Sequence, residues 1–192
     1  MKKIVLASNN KHKVKEFKEI LDDCEILTLE EIGFYDEIEE TGTTFLENAL
    51  IKAKTVSEYL KEHSLNYDVL ADDSGCCVPS LNGEPGIYSA RYAGDHDVKA
   101  NRRKLIENLK GKDHKAYFNA TIVLYHMDGS YIYKEGRTYG EIIEEERGDT
   151  SFGYDSIFLS DDLGITFGEA DSEAKNKVSH RFRALEQIKR EI

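Results

Sequence analysis

The chain has 192 residues, of which 40% are hydrophobic and 33% are charged, and its formal net charge at pH 7 is −11. A chain of this length buries roughly 70% of the surface of its unfolded form, which is enough for a single domain over residues 1–192. The acidic balance argues against DNA, RNA or an anionic membrane as partner, because binding a polyanion requires an extended basic surface. A small anion is still compatible with this charge, since a few local cations and helix-terminal amides are enough to hold it.

The sequence contains no membrane or export signal. No apolar run approaches the roughly 18 residues of a transmembrane helix, and the apolar stretch after Lys3 is too short for a signal peptide. We therefore expect a cytoplasmic protein. The three cysteines, Cys24, Cys76 and Cys77, are odd in number and lack C-x-x-C spacing, which favours reduced thiols. Cys76 and Cys77 follow Ser74-Gly75, so a place near a site is one alternative, but a small buried hydrophobe is the commoner role for such a cysteine.

The first half of the chain alternates predicted strands and helices. The continuous apolar run at 4–7 is typical of a strand covered on both faces. Apolar residues then recur at helical spacing from Val14 to Leu21, and a capping box at Thr44 and Glu47 opens a second helix. Further short strands are predicted at 25–29 and 67–71, and the second of these ends in Asp72-Asp73-Ser74-Gly75.

The second half combines helices with an antiparallel ribbon. A helix is predicted from the apolar stripe that ends at Leu109, and this stripe includes Arg102. Asp128-Gly129 separates two runs rich in aromatic and β-branched residues, which is a strong hairpin signal. A strand at 157–159 and a terminal helix at 172–192 complete a mixed α/β chain, with a central sheet flanked by helices.

The first polar cluster, Ser8 to Lys13, directly follows the opening strand. A strand-to-helix turn exposes backbone amides, and Ser8, Asn10 and Lys13 add hydroxyl, amide and ammonium donors beside them. This combination suits a phosphate group. The alternative is a capping serine or asparagine with solvated lysines, and the stretch alone favours that alternative. Neither G-x-x-x-x-G-K-[ST] nor G-x-G-x-x-G occurs in the chain.

Two acidic pairs suggest a metal site. Mg²⁺ prefers carboxylate oxygens and binds jointly with substrate phosphates, so one residue of Glu39 and Glu40 with one of Asp72 and Asp73 would suffice. Adjacent residues on an extended backbone point to opposite sides, so only one aspartate of the pair would face the metal. Taken singly, Glu39-Glu40 is most often a solvated surface and Asp72-Asp73 a turn.

Two clusters near the carboxyl terminus complete the set of polar candidates. Phe152 and Tyr154, on either side of Gly153, offer aromatic faces for a nucleobase, although aromatics beside a strand are usually core. Helical spacing groups Lys177 with His180 and Arg181, and a solvated cationic face is the alternative.

Together, these stretches resemble the inosine/xanthosine triphosphate pyrophosphatase family, in the family's order, from Ala7 to about Leu185. The matching motifs are "ASNNKHKVKEFKEIL", "EIEETGTTFLENALIKA", "LADDSG", "NGEPGIYSARYAG", "SFGYDSIF" and "EAKNKVSHRFRAL". The sequence departs from the family pattern at Cys76, where an apolar residue is usual, and at Ser156, where proline is usual.

The resemblance implies an elongated central sheet in two lobes with the active-site cleft between them, a fold related to Maf proteins. It implies that Asp73 activates water and contacts the metal, that Lys13 neutralises charge during catalysis, and that Glu39 or Glu40 is the second metal ligand. At the terminal helix it favours Lys175 over Lys177. Substrate contacts are implied for Ser8, Asn9, Asn10, Lys11, His12, Lys13, Ser74, Phe152, Gly153, Tyr154, Asp155, Lys175, His180 and Arg181.

The implied activity is Mg²⁺-dependent hydrolysis of ITP, dITP or XTP to the nucleoside monophosphate and pyrophosphate, which cleanses the nucleotide pool. A homodimer is implied by the resemblance alone. Two alternatives stay open, namely a Maf-like pyrophosphatase acting on other nucleotides and a nucleotide-binding sensor without turnover.

Overall fold

A computed structural model describes every residue from Met1 to Ile192 and has a mixed α/β fold, as the sequence predicts. None of its helices has the length and hydrophobicity needed to cross a membrane. Short 3-10 turns lie at Pro79–Leu81, Gly86–Arg91 and Asp155–Ile157. The strands and helices are β1 (Lys2–Leu6), α1 (Lys11–Ile20), β2 (Cys24–Leu27), α2 (Phe45–Glu62), β3 (Asp68–Cys77), α3 (Val98–Asn108), β4 (Lys115–Tyr125), β5 (Tyr131–Ile142), β6 (Phe158–Ser160), α4 (Ser172–Lys175) and α5 (His180–Lys189).

The six strands form one sheet in the order β2-β1-β3-β4-β5-β6. β1 is parallel to β2 and to β3, with Ile4 opposite Ile26 and Val5 opposite Val69. β5 and β6 are antiparallel. β4 and β5 form the predicted hairpin, in which the His126 N–H donates to the Ser130 carbonyl over 2.8 Å.

The chain divides into two compact units, each assembled from separate segments. Unit 1 comprises Met1–Asp73, Ala120–Gly136 and Arg181–Ile192, and unit 2 comprises Ser74–Asn119 and Arg137–His180. The expectation of one domain over residues 1–192 stays a prediction.

Unit 1 has a core on each face of its strands, because side chains alternate along β1. Ile4 and Leu6 pack with Phe17 of α1 and with apolar residues of α5, whereas Val5 and Ala7 pack against α2. β1 is therefore covered on both faces, as its continuous apolar run predicts. All of these strand residues are fully or almost fully buried.

Unit 2 has its own core, which joins α3 to β4, β5 and β6. Leu105 of α3 and Leu109, which directly follows this helix, pack in the same cluster as Phe118, Phe158 and other apolar residues. Cys76 also lies in this cluster, and all three cysteines are free thiols, of which Cys76 and Cys77 are buried. The predicted role of these two cysteines as small hydrophobes is confirmed.

Two predicted elements differ from the structure. β3 does not end at Ala71 but continues to Cys77, so the polar cluster that begins at Asp72 lies within a strand and not in a turn after it. The predicted terminal helix is interrupted between Lys175 and His180, which separates α4 from α5. Pattern reasoning missed both, because polar residues inside a buried strand and a break inside an amphipathic stretch are decided by tertiary contacts.

The capping box predicted at the start of α2 is confirmed. The Thr44 Oγ1 accepts a hydrogen bond from the Glu47 N–H at 3.1 Å, and the Glu47 carboxylate in turn accepts from the Thr43 N–H at 2.6 Å. The first bond satisfies an amide donor that a helix start leaves without an intrahelical partner, and the second ties the residue before the cap to the helix.

We predict that Thr44→Ala lowers the free energy of unfolding by about 1 kcal/mol, because the cap is lost. Thr44→Ser is the matched control, since it keeps the hydroxyl, and it should stay close to wild type. Urea denaturation of both variants measures the difference. Equal loss in both variants would contradict a capping role for the hydroxyl.

Candidate active site

Asp72 and Asp73 are adjacent residues of β3 and lie next to the turn that follows β1. Leu6 pairs with Leu70, and the Ala7 N–H donates to the Leu70 carbonyl at 2.8 Å, so β3 runs on beyond the point where β1 gives way to α1. Because the backbone is extended, the two aspartate side chains point to opposite sides of the strand. Their surroundings differ accordingly.

Asp72 is fully buried and is compensated by two cations. Its Oδ2 lies 2.8 Å from Lys13 Nζ and 3.5 Å from Arg181 Nη2. Burial by itself would raise the pKa of Asp72, but the charges of Lys13 and Arg181 hold that pKa well below its usual range. Arg181 also contacts the Glu16 carboxylate and is only 1% exposed, so its guanidinium is held by two acids.

Asp73 is buried but far less well compensated. Its Oδ1 lies 4.0 Å from Lys52 Nζ, and its buried Oδ2 has no hydrogen-bond partner. Burial raises the pKa of Asp73 to about 6, and although Lys52 and Lys13 lower it, the neighbouring carboxylates Glu40 and Asp72 raise it further. A carboxylate of this kind suits a base or a metal ligand, because its pKa is raised and one of its oxygens has no hydrogen-bond partner.

Glu40 and Asp73 both lie beside Lys52, whereas Glu39 makes no ion pair with this lysine. Lys52 Nζ lies 2.9 Å from Glu40 Oε1 and also donates to the Asp72 carbonyl at 2.6 Å. Glu40 is half-buried and Glu39 is exposed. No group of three or more His, Cys, Asp or Glu side chains is arranged to hold a metal ion. Two carboxylates, one with an unpartnered buried oxygen, are nevertheless a donor set that fits Mg²⁺ bound jointly with phosphate.

The turn from Ser8 to Lys13 caps α1. One of its side chains, Lys13, contacts Asp72, and others face a surface groove. Asn10 Oδ1 accepts from the His12 and Lys13 N–H groups at 3.0 and 3.2 Å, and Ser8 Oγ accepts from the Asn10 N–H. The capping part of the alternative is therefore present, at Asn10. Lys13 contacts Asp72, whereas Ser8, Asn9 and Lys11 line a surface groove of about 440 Å³. Asn9, Asn10, Lys11 and His12 are exposed.

In unit 2, a short turn at 152–155 brings together an aromatic face and an ion pair. Lys175 Nζ lies 2.7 Å from Asp155 Oδ2 and 5.0 Å from the centre of the Phe152 ring. Lys175 and Asp155 are buried, and Phe152 is half-buried. Ser74, the first residue of unit 2, is partly exposed.

Tyr154 is placed differently from Phe152 on the same turn. Its side chain is buried in the core of unit 2, and its hydroxyl donates to the Ser89 carbonyl at 2.6 Å. Burial raises the pKa of Tyr154, so the hydroxyl stays protonated. Ser89 belongs to the motif "NGEPGIYSARYAG", so one function of this motif is to hold Tyr154 through the Ser89 carbonyl.

The break between α4 and α5 separates Lys177 from the helix that carries His180 and Arg181. Lys177 lies outside both helices, is exposed and pairs with Glu173, so its helical grouping with His180 and Arg181 is wrong. His180 is buried, and its ring lies 5.1 Å from that of Phe118.

Sequence reasoning missed Lys52 and Glu16. Both are buried charged residues on otherwise apolar helix faces: Lys52 lies on α2 beside Ala49, Ala53 and Val56, and Glu16 precedes Phe17 on α1. A lysine at the spacing of the inward stripe was a signal that could have identified Lys52.

Comparisons with known proteins cover almost the whole chain. A model of the Ham1 family matches residues 4–191. A dITP/XTP pyrophosphatase of Campylobacter jejuni is 47% identical over 191 residues, with 97% of this chain and 95% of the relative covered. A Bacillus subtilis protein of the same name is 44% identical over 194 residues, with 98% and 96% covered.

Solved structures agree with these relatives. The Staphylococcus aureus Ham1 protein is 40% identical, with a TM-score of 0.84 and coverage of 98% of this chain and 97% of that one. A HAM1 protein from Coxiella burnetii is 38% identical, with a TM-score of 0.85 and coverage of 99% and 98%. Family model, sequence relatives and solved structures thus agree along the length of the chain, which belongs to the Ham1 family.

Proposed function

We propose that the chain hydrolyses noncanonical purine nucleoside triphosphates (ITP, dITP and XTP) to the nucleoside monophosphate and pyrophosphate. The observation that carries this proposal is the pair of carboxylates on opposite sides of β3. Lys13 neutralises Asp72, whereas Asp73 lies beside Lys52 and is poorly compensated. The chain also matches dITP/XTP pyrophosphatases over nearly its full length. Loss of such triphosphates cleanses the nucleotide pool.

Lys13 and Lys52 would neutralise the negative charge of the triphosphate. Phosphoryl transfer requires little covalent chemistry from the protein, and depends on positioning and on charge stabilisation at the phosphate oxygens. Both ammonium groups are held by carboxylates, Lys13 by Asp72 and Lys52 by Glu40, so each is oriented before the substrate arrives. Ser8 to His12, in the turn that leads into α1, add side-chain donors.

Asp73 is the group that would orient and deprotonate the attacking water. Above about pH 6 its carboxylate is ionised, and its Oδ2 has no hydrogen-bond partner to compete with a water molecule. A base whose pKa lies just below the working pH is effective in proton transfer. Asp72 is unsuited to this role, because Lys13 and Arg181 contact its Oδ2 and hold its pKa well below the usual range, which makes it a weak base.

Glu40 and Asp73 would hold a divalent cation, for which we propose Mg²⁺. When bound, the ion supplies charge neutralisation at the phosphate oxygens and a lower pKa for a coordinated water. We assign Glu40 in preference to Glu39, because Glu40 is half-buried against Lys52 and Glu39 is exposed.

For the base, we propose that Phe152 provides the stacking face and that His180 and Arg181 provide donors. Inosine and xanthosine carry a keto acceptor at the purine six-position, where adenine carries an amino donor. A buried donor that faces the amino group loses its partner at a cost of about 1 to 3 kcal/mol, which disfavours ATP. The nucleoside side of the substrate would also be supported by Ser74, Gly153, Tyr154, Asp155 and Lys175.

We also propose a homodimer, on the family resemblance alone.

Incubation of the pure protein with ITP, XTP, dTTP and GTP plus Mg²⁺, followed by separation of products, tests the function. We predict monophosphate and pyrophosphate from ITP and XTP, and a loss of at least about 100-fold in Asp73→Asn, because the base is removed. Cleavage of dTTP alone would support a Maf-like enzyme, and tight binding without products a sensor. An Asp73→Asn protein of wild-type activity would show that the base is assigned wrongly.

The raised pKa of Asp73 predicts a pH-dependent stability difference in metal-free protein. The stability that neutral Asp73 contributes is complete below its ordinary pKa of 3.8 and is lost as the pH rises through about 6. Asparagine does not ionise, so Asp73→Asn should gain stability relative to wild type between pH 4 and pH 8. The gain is at most about 3 kcal/mol for a shift of about two pKa units. Denaturant unfolding in EDTA measures it, and a difference independent of pH would contradict the raised pKa.

The assignment of Glu40 predicts a contrast between two neighbouring variants. Glu40→Gln should raise the Mg²⁺ concentration for half-maximal ITP hydrolysis about tenfold, because one charged ligand is lost. Glu39→Gln is the matched control and should stay within about twofold of wild type, as expected for an exposed surface residue. Titration of Mn²⁺ monitored by electron paramagnetic resonance gives the affinity independently of turnover. The opposite ranking would assign the metal to Glu39.

A further inference from the structure

Arg102 is a buried cation that the reaction described above does not use. It lies on the buried side of α3 with Asn101 and Leu105, and it is only 3% exposed. Arginine is almost never buried to this degree unless its donors are paired. The two groups that pair with Arg102 are therefore informative about what it does.

Both partners of Arg102 lie in the chain that leads into the turn at 152–155. Arg102 Nη1 donates to the Gly153 carbonyl at 2.8 Å, and Arg102 Nε donates to the Glu146 carboxylate. Glu146 is about one-third exposed, so its carboxylate orients the guanidinium from the solvent side. The result is a bridge from the interior of unit 2 to the backbone of the turn.

Gly153 is the position at which this turn most needs such a bond. Its φ is +51°, in the left-handed region that glycine enters without a steric penalty. No atom lies within 4 Å of the place where a Cβ would be, so packing does not hold this residue. A glycine peptide without packing has large backbone freedom, and a hydrogen bond from a buried guanidinium restricts it.

The neighbouring residues of the turn are each held by another contact. The Tyr154 hydroxyl donates to the Ser89 carbonyl at 2.6 Å, and Asp155 pairs with Lys175. Lys175 in turn lies over the ring of Phe152. Arg102 therefore supplies the contact at the one residue of the turn that side-chain packing leaves unrestrained.

We propose that Arg102 is a positioning residue for base recognition, acting through the Gly153 carbonyl to fix the turn that carries Phe152. This inference rests on the proposed function, in which Phe152 stacks on the purine. Its energetic effect is on binding of the nucleoside portion and not on the phosphate groups, because neither Arg102 nor Glu146 belongs to the cation and carboxylate groups around Asp72 and Asp73.

The test compares Arg102→Met with Arg103→Met, which removes an equal charge from the next, exposed residue of α3. Isothermal titration calorimetry measures binding of IMP and of inorganic pyrophosphate, and steady-state kinetics give KM and kcat for ITP. In Arg102→Met we expect Kd for IMP and KM for ITP to rise about tenfold, as for one lost charge-assisted hydrogen bond. The Kd for pyrophosphate and kcat should stay within about twofold, since only binding of the nucleoside is affected. Arg103→Met should match wild type.

Unchanged IMP affinity in folded Arg102→Met would overturn the proposal, and so would an equal loss of IMP and pyrophosphate affinity, which indicates general disruption. If Arg102→Met shows no cooperative unfolding transition, Glu146→Gln decides, with an expected rise of about threefold in Kd for IMP and none for pyrophosphate. Unchanged affinity in Glu146→Gln would then overturn the proposal. Wild-type protein that binds IMP but does not cleave ITP refutes the proposed function separately, because the IMP measurements do not require turnover.

Discussion

The extended backbone at Asp72 and Asp73 is the constraint on which the rest of the candidate site depends. Two neighbouring carboxylates would repel each other in a turn that directed both to one place, but a strand sends them to opposite sides. One then meets Lys13 and Arg181, and the other meets Lys52 and Glu40. The same pair of residues therefore provides one carboxylate whose pKa is lowered and one whose pKa is raised.

The cations of unit 1 explain how an acidic chain can build a site for an anion. Lys13, Lys52 and Arg181 are three cations, and they face four carboxylates, namely Glu16, Glu40, Asp72 and Asp73. With every group ionised the local charge is −1, and a bound divalent cation would change it to +1. The field that a triphosphate experiences there is thus set by these few groups and not by the net charge of −11. Burial of the pairs also limits screening by salt.

Unit 2 uses a different principle, in which backbone and ring positions are fixed by buried polar contacts. Tyr154 and Lys175 hold the turn at 152–155 through a hydroxyl and an ion pair, and Arg102 reaches the same turn from α3. Each of these polar groups is buried, where a hydrogen bond is stronger and an unpaired group more costly than in water. A turn held in this way fixes the backbone that carries Phe152.

Much of the architecture could be predicted from local patterns. The apolar run of β1, the periodicity of α1 and α2, the capping box at Thr44 and the hairpin at Asp128-Gly129 each depend on neighbours in the sequence, and each is present in the structure. The order of motifs along the chain also identified the family, because six weak matches in the correct order are jointly specific. Local physics and motif order were sufficient for these features.

Tertiary structure alone decided the course of β3, the break between α4 and α5, and the identity of the buried ion pairs. Nothing in the local sequence distinguishes an Asp-Asp turn from an Asp-Asp strand, since the choice depends on cations supplied by α1, α2 and α5. Glu40 and Glu39 are likewise equivalent in sequence, and only the position of Lys52 separates their surroundings. The sequence by itself determined which residue types were available and in what order, whereas the pairing of charges distant in the chain required the folded structure, because electrostatic energies depend on distance and burial in space.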